Sequence, residues 1–100
     1  MTKVRVALPV HLRTLARVDG DVEVPVGGDP TVDELLDALE SAYPTLAGTI
    51  REHGSGKRRA YMRFFACGRD LSQLDQSTQL PEEVVSGAET FYVIGAIAGG

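Results

Sequence analysis

The chain has 100 residues, of which 43% are hydrophobic and 24% are charged, and its formal net charge is −4. This length suits one domain and is too short for two independent hydrophobic cores. We expect no nucleic-acid partner, because nucleic acids are bound mainly by Lys and Arg side chains that neutralise phosphates. We also expect no membrane partner, since the longest apolar stretches fall well short of the roughly 20 residues that cross a bilayer.

The N-terminal segment and the cysteine content both indicate a cytoplasmic protein. Lys3 and Arg5 interrupt the apolar stretch that a secretory signal peptide would need. Cys67 is the single cysteine, so an internal disulfide is excluded, as expected in a reducing compartment.

The first quarter of the chain predicts two strands. Residues 3–10 alternate in polarity, with Val4, Val6 and Leu8 on one face. The segment from His11 to Val18 is interpreted as a link, and Asp19-Gly20 as a turn. Asp21 to Val26 alternates again, which predicts a second strand and an N-terminal hairpin with a long connection.

A helix follows, with a clear start and a clear end. Thr31 and Glu34 have the spacing of a capping box, in which each side chain satisfies a free backbone N–H of the other residue. Pro44 ends the helix near Tyr43. The apolar stripe of this helix comprises Val32, Leu35, Leu36 and Leu39.

The second half predicts two further strands between long connections. Tyr61 to Cys67 and Thr90 to Ile97 are rich in aromatic and β-branched residues, as strands are. Between Thr45 and Arg59 the pattern weakens, and from Leu71 to Gly87 the chain is mostly connection. Leu46 and Ile50 are expected to anchor a short helical turn, and Leu74, Leu80 and Val84 are the core positions expected in the second connection.

The resulting order, β-β-α-β-(short β)-β, predicts an α+β domain of the β-grasp type. One main helix would pack on one face of a mixed sheet of four to five strands, with the first and last strands parallel at its centre. We expect residues 1–97 to form one β-grasp domain, and residues 98–100 to form a flexible tail.

Several segments of the chain resemble the MoaD/ThiS family of ubiquitin-like sulfur carriers. They are Val4-Arg5-Val6, Leu12-Arg13-Thr14-Leu15, the helix start Thr31 to Leu36, and the last apolar strand, which runs directly into Gly99-Gly100. The segment Ala96 to Gly100 is most similar to carriers that deliver sulfur for cysteine synthesis. Molybdopterin-type carriers usually have Pro-Pro where this chain has Gly95-Ala96.

Two positions depart from the pattern of the family. Cys67-Gly68 stands where many members have Asn after the third strand, and Ser86-Gly87-Ala88-Glu89 replaces a common Asp-Gly-Asp turn. The product that receives the sulfur therefore stays open among cysteine, thiazole, molybdopterin and a specialised metabolite.

The resemblance implies a carrier without catalytic residues, bound cofactor or metal. A ubiquitin-activating-type adenylyltransferase would use ATP and Mg²⁺ to adenylate the Gly100 carboxylate. A sulfur donor would then displace AMP, and the thiocarboxylate would pass to a sulfur-accepting biosynthetic enzyme. Gly99 and Gly100 suit this role, because residues without Cβ can thread a narrow channel.

Strand alternation predicts a partner-docking face on the side of the sheet away from the helix. Its expected members are Tyr92, Ile94, Phe65, Arg63, Arg5 and Ala7. Apolar side chains on an uncovered sheet face are typical of protein interaction sites, although loops or edges can also cover them.

Other signals are interpreted as structural. Gly54 to Arg58 lacks the spacing of a phosphate-binding loop, and Lys57-Arg58-Arg59 is expected to be a solvated loop. Cys67 is expected to be an inert small hydrophobe. His11 and His53 lie far apart without neighbouring ligand patterns, so no metal site is expected.

Two other functions remain open. A ubiquitin-like modifier would use the same tail to form isopeptide bonds with lysines, and the sequence does not separate it from a carrier. A β-grasp interaction module would need no tail chemistry, so deleting Gly99-Gly100 would leave its function intact.

Overall fold

Five strands form one mixed sheet in the computed structural model, which describes residues 2–95. The strands are β1 (Thr2–Ala7), β2 (Val22–Val26), β3 (Met62–Ala66), β4 (Arg69–Asp70) and β5 (Phe91–Gly95). The helices are α1 (Val10–Ala16), α2 (Val32–Ala42) and α3 (Glu82–Val85), and a 3-10 turn spans Pro44–Leu46. The predicted tail, residues 98–100, lies outside the described range, as do the last two residues of the predicted final strand.

The strand order is β2-β1-β5-β3-β4. β1 and β5 are parallel neighbours at the centre, and the other neighbouring strands are antiparallel. α2 is the main helix, and its four apolar positions, Val32, Leu35, Leu36 and Leu39, are all buried. The predicted β-grasp architecture, with a central parallel pair and one main helix on one face, is therefore confirmed.

The first strand ends at Ala7, so the predicted strand over residues 3–10 was too long, and the predicted link from His11 to Val18 contains a helix that was not predicted. Leu12 is buried on the inner side of α1, and the Thr45 hydroxyl donates to the Leu15 carbonyl at 3.0 Å. Helices shorter than about 12 residues are marginal in water, so tertiary contacts rather than a strong local pattern must hold these seven residues in a helix. The hairpin pairing itself is confirmed, with Val4 opposite Val24 and Val6 opposite Val22.

The capping box of α2 forms as predicted. The Glu34 N–H donates to Thr31 Oγ1 at 3.1 Å, and the Thr31 N–H donates to Glu34 Oε1 at 2.9 Å. Two backbone donors at the helix start are thereby satisfied, which fixes where the helix begins. It ends at Ala42, before Tyr43 and Pro44, also as predicted.

The core lies between α2 and the inward side chains of the strands. Phe64 and Phe91 pack together there, with ring centroids 5.4 Å apart. Leu80 and Val84 are buried as expected, and Leu46, the last residue of the 3-10 turn, and Ile50 are buried as well. The prediction for Leu74 was wrong: its N–H closes a turn onto the Leu71 carbonyl, and its side chain is 48% exposed.

Arg51 joins the long connection after α2 to the acidic side of that helix. Its guanidinium contacts Asp33 at 3.1 Å, Asp37 at 2.7 Å and Glu40 at 3.1 Å, while its own side chain is only 11% exposed. Burial alone would lower the pKa of Arg51, but hydrogen bonds with Glu40 and Asp37 outweigh it and raise the pKa above its usual value. This contact holds the 47–59 segment against α2.

Across residues 2–95, no helix is long and apolar enough to span a bilayer.

Candidate functional site

Strand register gathers the predicted docking residues on one face of the sheet. Ala7 of β1 lies beside Tyr92 of β5, and Tyr92 lies beside Phe65 of β3. One step further along β5, Ile94 lies beside Arg63. Arg5 occupies the preceding outward position of β1, because side chains of one strand alternate between its faces. We call these six residues, Arg5, Ala7, Arg63, Phe65, Tyr92 and Ile94, the outer face.

Buried and exposed side chains alternate along β5, as expected for a strand with only one face against the core. Phe91 and Val93 are almost fully buried, whereas Tyr92 and Ile94 are 47% and 44% exposed. On β3 the same contrast separates the buried Phe64 from the exposed Arg63 and the half-buried Phe65. Arg5 and Ala7 are also half-buried. The outer face therefore offers an accessible apolar centre, made chiefly by the side chains of β5 and β3.

The two arginines of the outer face are held in place by neighbours. Arg5 Nε donates to Thr90 Oγ1 at 2.7 Å, and Arg5 Nη2 donates to the Gly87 carbonyl at 3.3 Å. Arg63 Nη1 lies 3.7 Å from Asp70 Oδ2, in an exposed ion pair. Both guanidinium groups border the apolar centre, so a partner surface with carboxylates around an apolar patch would complement it.

Tyr61 extends the outer face, and the sequence reasoning did not single it out. Its side chain is 47% exposed, and the next residue, Met62, is buried and pairs with Gly95. Tyr61 directly precedes β3, and the alternation that places Arg63 and Phe65 outward, continued one step back along the chain, predicts the same side for Tyr61. That alternation was visible in the sequence and would have identified it.

The predicted reactive residues, Gly99 and Gly100, lie outside the described residues. The chain reaches them from Gly95, the last residue of β5, which pairs with Met62 of the neighbouring strand. The covalent path to the tail therefore begins on a central strand, next to the exposed side chains of Tyr61 and Ile94.

Cys67 lies in the tight turn between β3 and β4. Cys67 and Gly68 both have positive φ angles, +54° and +73°, and connect the paired residues Ala66 and Arg69. Burial raises the pKa of the Cys67 thiol, and the nearby carboxylates of Glu83 and Glu89 raise it further. A thiol that resists ionisation is a poor nucleophile, which supports a structural role.

The expectation that Lys57-Arg58-Arg59 forms a solvated loop was wrong for two of these three residues. Arg58 is half-buried, and its Nη1 donates to the Met62 carbonyl at 2.7 Å while its Nε donates to the Ser72 carbonyl at 3.1 Å. Arg59 is half-buried as well, and its Nε donates to the Gly48 carbonyl. Only Lys57 is exposed. Arg58 and Arg59 therefore connect segments of the fold through hydrogen bonds to backbone carbonyl groups.

Within residues 2–95, no three His, Cys, Asp or Glu side chains lie close enough together to hold a metal ion. The carboxylates that do cluster, those of Asp33, Asp37 and Glu40, are already paired with Arg51. The described part of the chain thus presents an exposed, partly apolar sheet face rather than a cluster of ionisable groups around a cavity.

Comparison with known proteins connects the chain to solved structures only. No profile of a protein family matches the sequence, and no curated protein matches it significantly. The crystal structure of SAMP1 from Haloferax volcanii matches with a TM-score of 0.76 and 22% identity, over 98% of this chain and 99% of that one.

Two further solved structures match over similar lengths. A chain of the Amycolatopsis orientalis BexX/CysO complex has a TM-score of 0.73 and 22% identity, over 97% of this chain and 99% of that one. A putative molybdopterin converting factor, subunit 1, from Pyrococcus furiosus has a TM-score of 0.69 and 18% identity, over 97% and 100%. The chain therefore has the β-grasp fold of ubiquitin-like proteins of the MoaD/ThiS type.

Proposed function

We propose that this chain is a sulfur carrier whose working group is the carboxylate of Gly100. The observation that carries the proposal is a MoaD/ThiS-type fold whose central strand β5 leads within five residues to Gly99-Gly100. The likeness to a putative molybdopterin converting factor subunit and to the CysO-containing complex supports it.

The proposed chemistry has two steps, both carried out by partner enzymes. A carboxylate oxygen of Gly100 attacks the α-phosphorus of ATP, the bond to the β-phosphate oxygen breaks, and pyrophosphate leaves. Hydrosulfide then attacks the carbonyl carbon of the acyl-adenylate, and AMP leaves with the electron pair of the broken C–O bond. After loss of a proton the product is a thiocarboxylate. No change of oxidation state is needed when hydrosulfide is the donor.

In this proposal the chain supplies recognition and a reactive end. The adenylyltransferase docks on the outer face, where Tyr92 and Phe65 enter an apolar patch and Arg5 and Arg63 meet carboxylates. Residues 1–97 form the docked domain, and residues 98–100 extend as a flexible tail into the active site of the partner. Docking makes the encounter of the carboxylate with the nucleotide effectively intramolecular.

The remaining roles belong to other molecules. ATP and Mg²⁺ are bound by the adenylyltransferase, so the carrier itself needs no cofactor and is not an enzyme. A sulfur-accepting biosynthetic enzyme consumes the thiocarboxylate, with cysteine, thiazole, molybdopterin or a specialised metabolite as the product. The reaction takes place in the cytoplasm, in keeping with the single cysteine of the chain, which suits a reducing compartment.

The proposal is tested by intact-mass spectrometry of the chain purified from its native host. We expect a fraction of molecules to end at Gly100 and to carry one oxygen-to-sulfur exchange. Deleting Gly100 should abolish that species without changing the melting temperature, because removal of one terminal glycine takes away no side chain from the core. Wild-type protein that never shows the exchange, or that ends beyond Gly100, would overturn the proposal.

Docking on the outer face is tested with a matched pair of variants. Tyr92 and Leu74 are exposed to similar extents, 47% and 48%, but only Tyr92 belongs to the outer face. Tyr92→Asp should lower the sulfur-exchanged fraction at least tenfold, since a buried interface charge without a partner costs well over ~1.4 kcal/mol. Leu74→Asp should leave the fraction unchanged. Equal effects of both variants would argue against this docking face.

A second candidate function is a covalent protein modifier. It is favoured by the match to SAMP1, since the Methanosarcina acetivorans protein of that name is described as small archaeal modifier protein 1. The same activated tail would then form an isopeptide bond with a lysine amine, which displaces AMP or a thiol. Adducts linked through Gly100 to lysines of other proteins, found by peptide mass spectrometry, would support the modifier.

A further inference from the structure

The backbone conformation at Gly95 does not require a glycine. Gly95 is the last residue of β5, and its φ angle lies outside the left-handed region that favours glycine. Glycine within a strand weakens the strand by roughly 0.5–1 kcal/mol relative to alanine, so a glycine here points to a close approach by another group.

The approaching group is the imidazole ring of His11. A Cβ atom on residue 95 would lie 3.0 Å from Cε1 and 3.7 Å from Nε2 of His11, and 3.5 Å from Sδ of Met62. The contact with Met62 is an ordinary van der Waals distance, whereas the contact with Cε1 is tighter than carbon atoms normally allow. The ring of His11 thus occupies the space that a side chain at residue 95 would need.

The strand topology explains why a helix residue lies beside β5. β1 pairs with β5 only at Val6 with Phe91 and Ala7 with Tyr92, and β1 ends at Ala7. The last three residues of β5 therefore extend beyond their parallel partner. α1 begins at Val10 and brings His11 against Gly95, while β3 flanks Gly95 on the opposite side through Met62.

We propose that His11 and Gly95 are positioning residues for the reactive end of the chain: the ring packs against the glycine and holds in place the residue of β5 from which the C-terminal segment continues. This inference rests on the proposed carrier function. Its physical basis is that delivery of a reacting group is sensitive to small displacements, since an error of about 1 Å can cost roughly a hundredfold in rate. Neither residue touches the nucleotide in this mechanism, and His11 transfers no proton.

The variants that test the inference should fold normally. His11 is exposed, so its ring can move aside when alanine replaces Gly95. The gain in strand propensity from Gly95→Ala offsets the lost contact, and we expect little change in melting temperature. Gly27→Ala is a matched control, because Gly27 also has an ordinary φ angle and a Cβ there would meet nothing within 4 Å.

The measurement is a competition experiment in which the native host produces the wild-type chain and one variant together. The two chains differ in mass, so mass spectrometry measures the sulfur-exchanged fraction of each. The ratio of their sulfur-exchanged fractions reports the relative efficiency of activation. We expect Gly95→Ala and His11→Ala each to lose about tenfold or more, and the double variant to be no worse than the poorer single variant. His11→Phe should recover most of the activity, because it restores a flat ring without a titratable group. Gly27→Ala should behave like wild type.

Each other outcome has a definite meaning. If His11→Ala retains full activity while Gly95→Ala loses it, the glycine serves the partner alone and the proposed role of His11 is wrong. If His11→Phe fails to recover activity, packing of the ring is not the cause. Near-wild-type activity in both single variants would overturn the inference and leave the carrier function standing. Absence of sulfur exchange in the wild type would instead contradict the carrier function.

Discussion

Replacement of Arg51 by Met should destabilise the fold more than the replacement of any exposed arginine. The guanidinium of Arg51 contacts Asp33, Asp37 and Glu40 on one side of α2, and its side chain is 11% exposed. Methionine fills similar space but leaves the carboxylates without their shared cation. Asp33 and Asp37 are then like charges at i, i+4 on one helix, an arrangement that disfavours the helix.

The size of the effect follows from the exposure of each partner. Asp33 and Asp37 are 44% and 68% exposed, so each pair should contribute only about 0.2–1 kcal/mol. Glu40 is 21% exposed, and a hydrogen bond between charged groups there should contribute about 1.5–3 kcal/mol. We therefore expect Arg51→Met to lower the free energy of unfolding by about 2–5 kcal/mol, which corresponds to a fall in melting temperature of roughly 10–25 °C.

The assay is urea unfolding followed by circular dichroism, at low and at high salt. Arg63→Met is the control, since its single contact with Asp70 is 3.7 Å long and both side chains are 40% or more exposed. That variant should lose less than about 0.5 kcal/mol. Part of the loss in Arg51→Met should disappear at high salt, because the exposed pairs are screened. A loss equal to that of Arg63→Met would refute the assignment of Arg51 as the connection to α2.

Three further predictions concern single residues. Thr31→Ala removes the cap of α2 and should cost about 1 kcal/mol in thermal unfolding, whereas Thr14→Ala, which loses only an exposed bond within α1, should cost less than half as much. Cys67→Asn should raise the melting temperature, since Asn tolerates a positive φ better than Cys; an unchanged or lower value would show that packing of the thiol matters more. Hydrogen bonds from Ser72 hold the pKa of the Asp70 carboxyl below its usual value. The ionised carboxylate therefore stabilises the fold at any pH above the pKa that Asp70 has in the unfolded chain. This contribution is lost as the pH falls through the pKa that Asp70 has in the folded chain. Asp70→Asn should accordingly be less stable than wild type near about pH 7 and equal to it near about pH 2, and a difference that is constant with pH would contradict this account.

Local patterns were sufficient for the framework of the molecule. The alternation in β1, β2, β3 and β5 assigned the correct side chains to the core, because a strand of period two has only two faces. The capping residues Thr31 and Glu34 located the start of α2, since both halves of the box lie within four residues. The same alternation assembled the outer face, and applied one step earlier it would have included Tyr61.

Contacts between distant parts of the chain were beyond such patterns. α1 has no side-chain cap and only seven residues, so its formation depends on burial of Leu12 and on the bond from Thr45. Arg58 was predicted to be solvated because a run of three basic residues usually is. Its actual role depends on the carbonyl groups of Met62 and Ser72, which accept hydrogen bonds from its guanidinium and belong to other segments in the predicted pattern of strands and connections.

By itself, then, the sequence determined the strands, the main helix, the inward and outward side chains, and the resemblance that assigns the tail its proposed chemistry. The tertiary structure decided that Arg51 pairs with three carboxylates of α2, that Leu74 faces solvent, and that His11 lies against Gly95. The physical reason is range. Periodicity and capping act over a few residues. A steric contact between residues such as 11 and 95, or an ion pair between distant residues, exists only after folding of the sheet has brought those parts of the chain together.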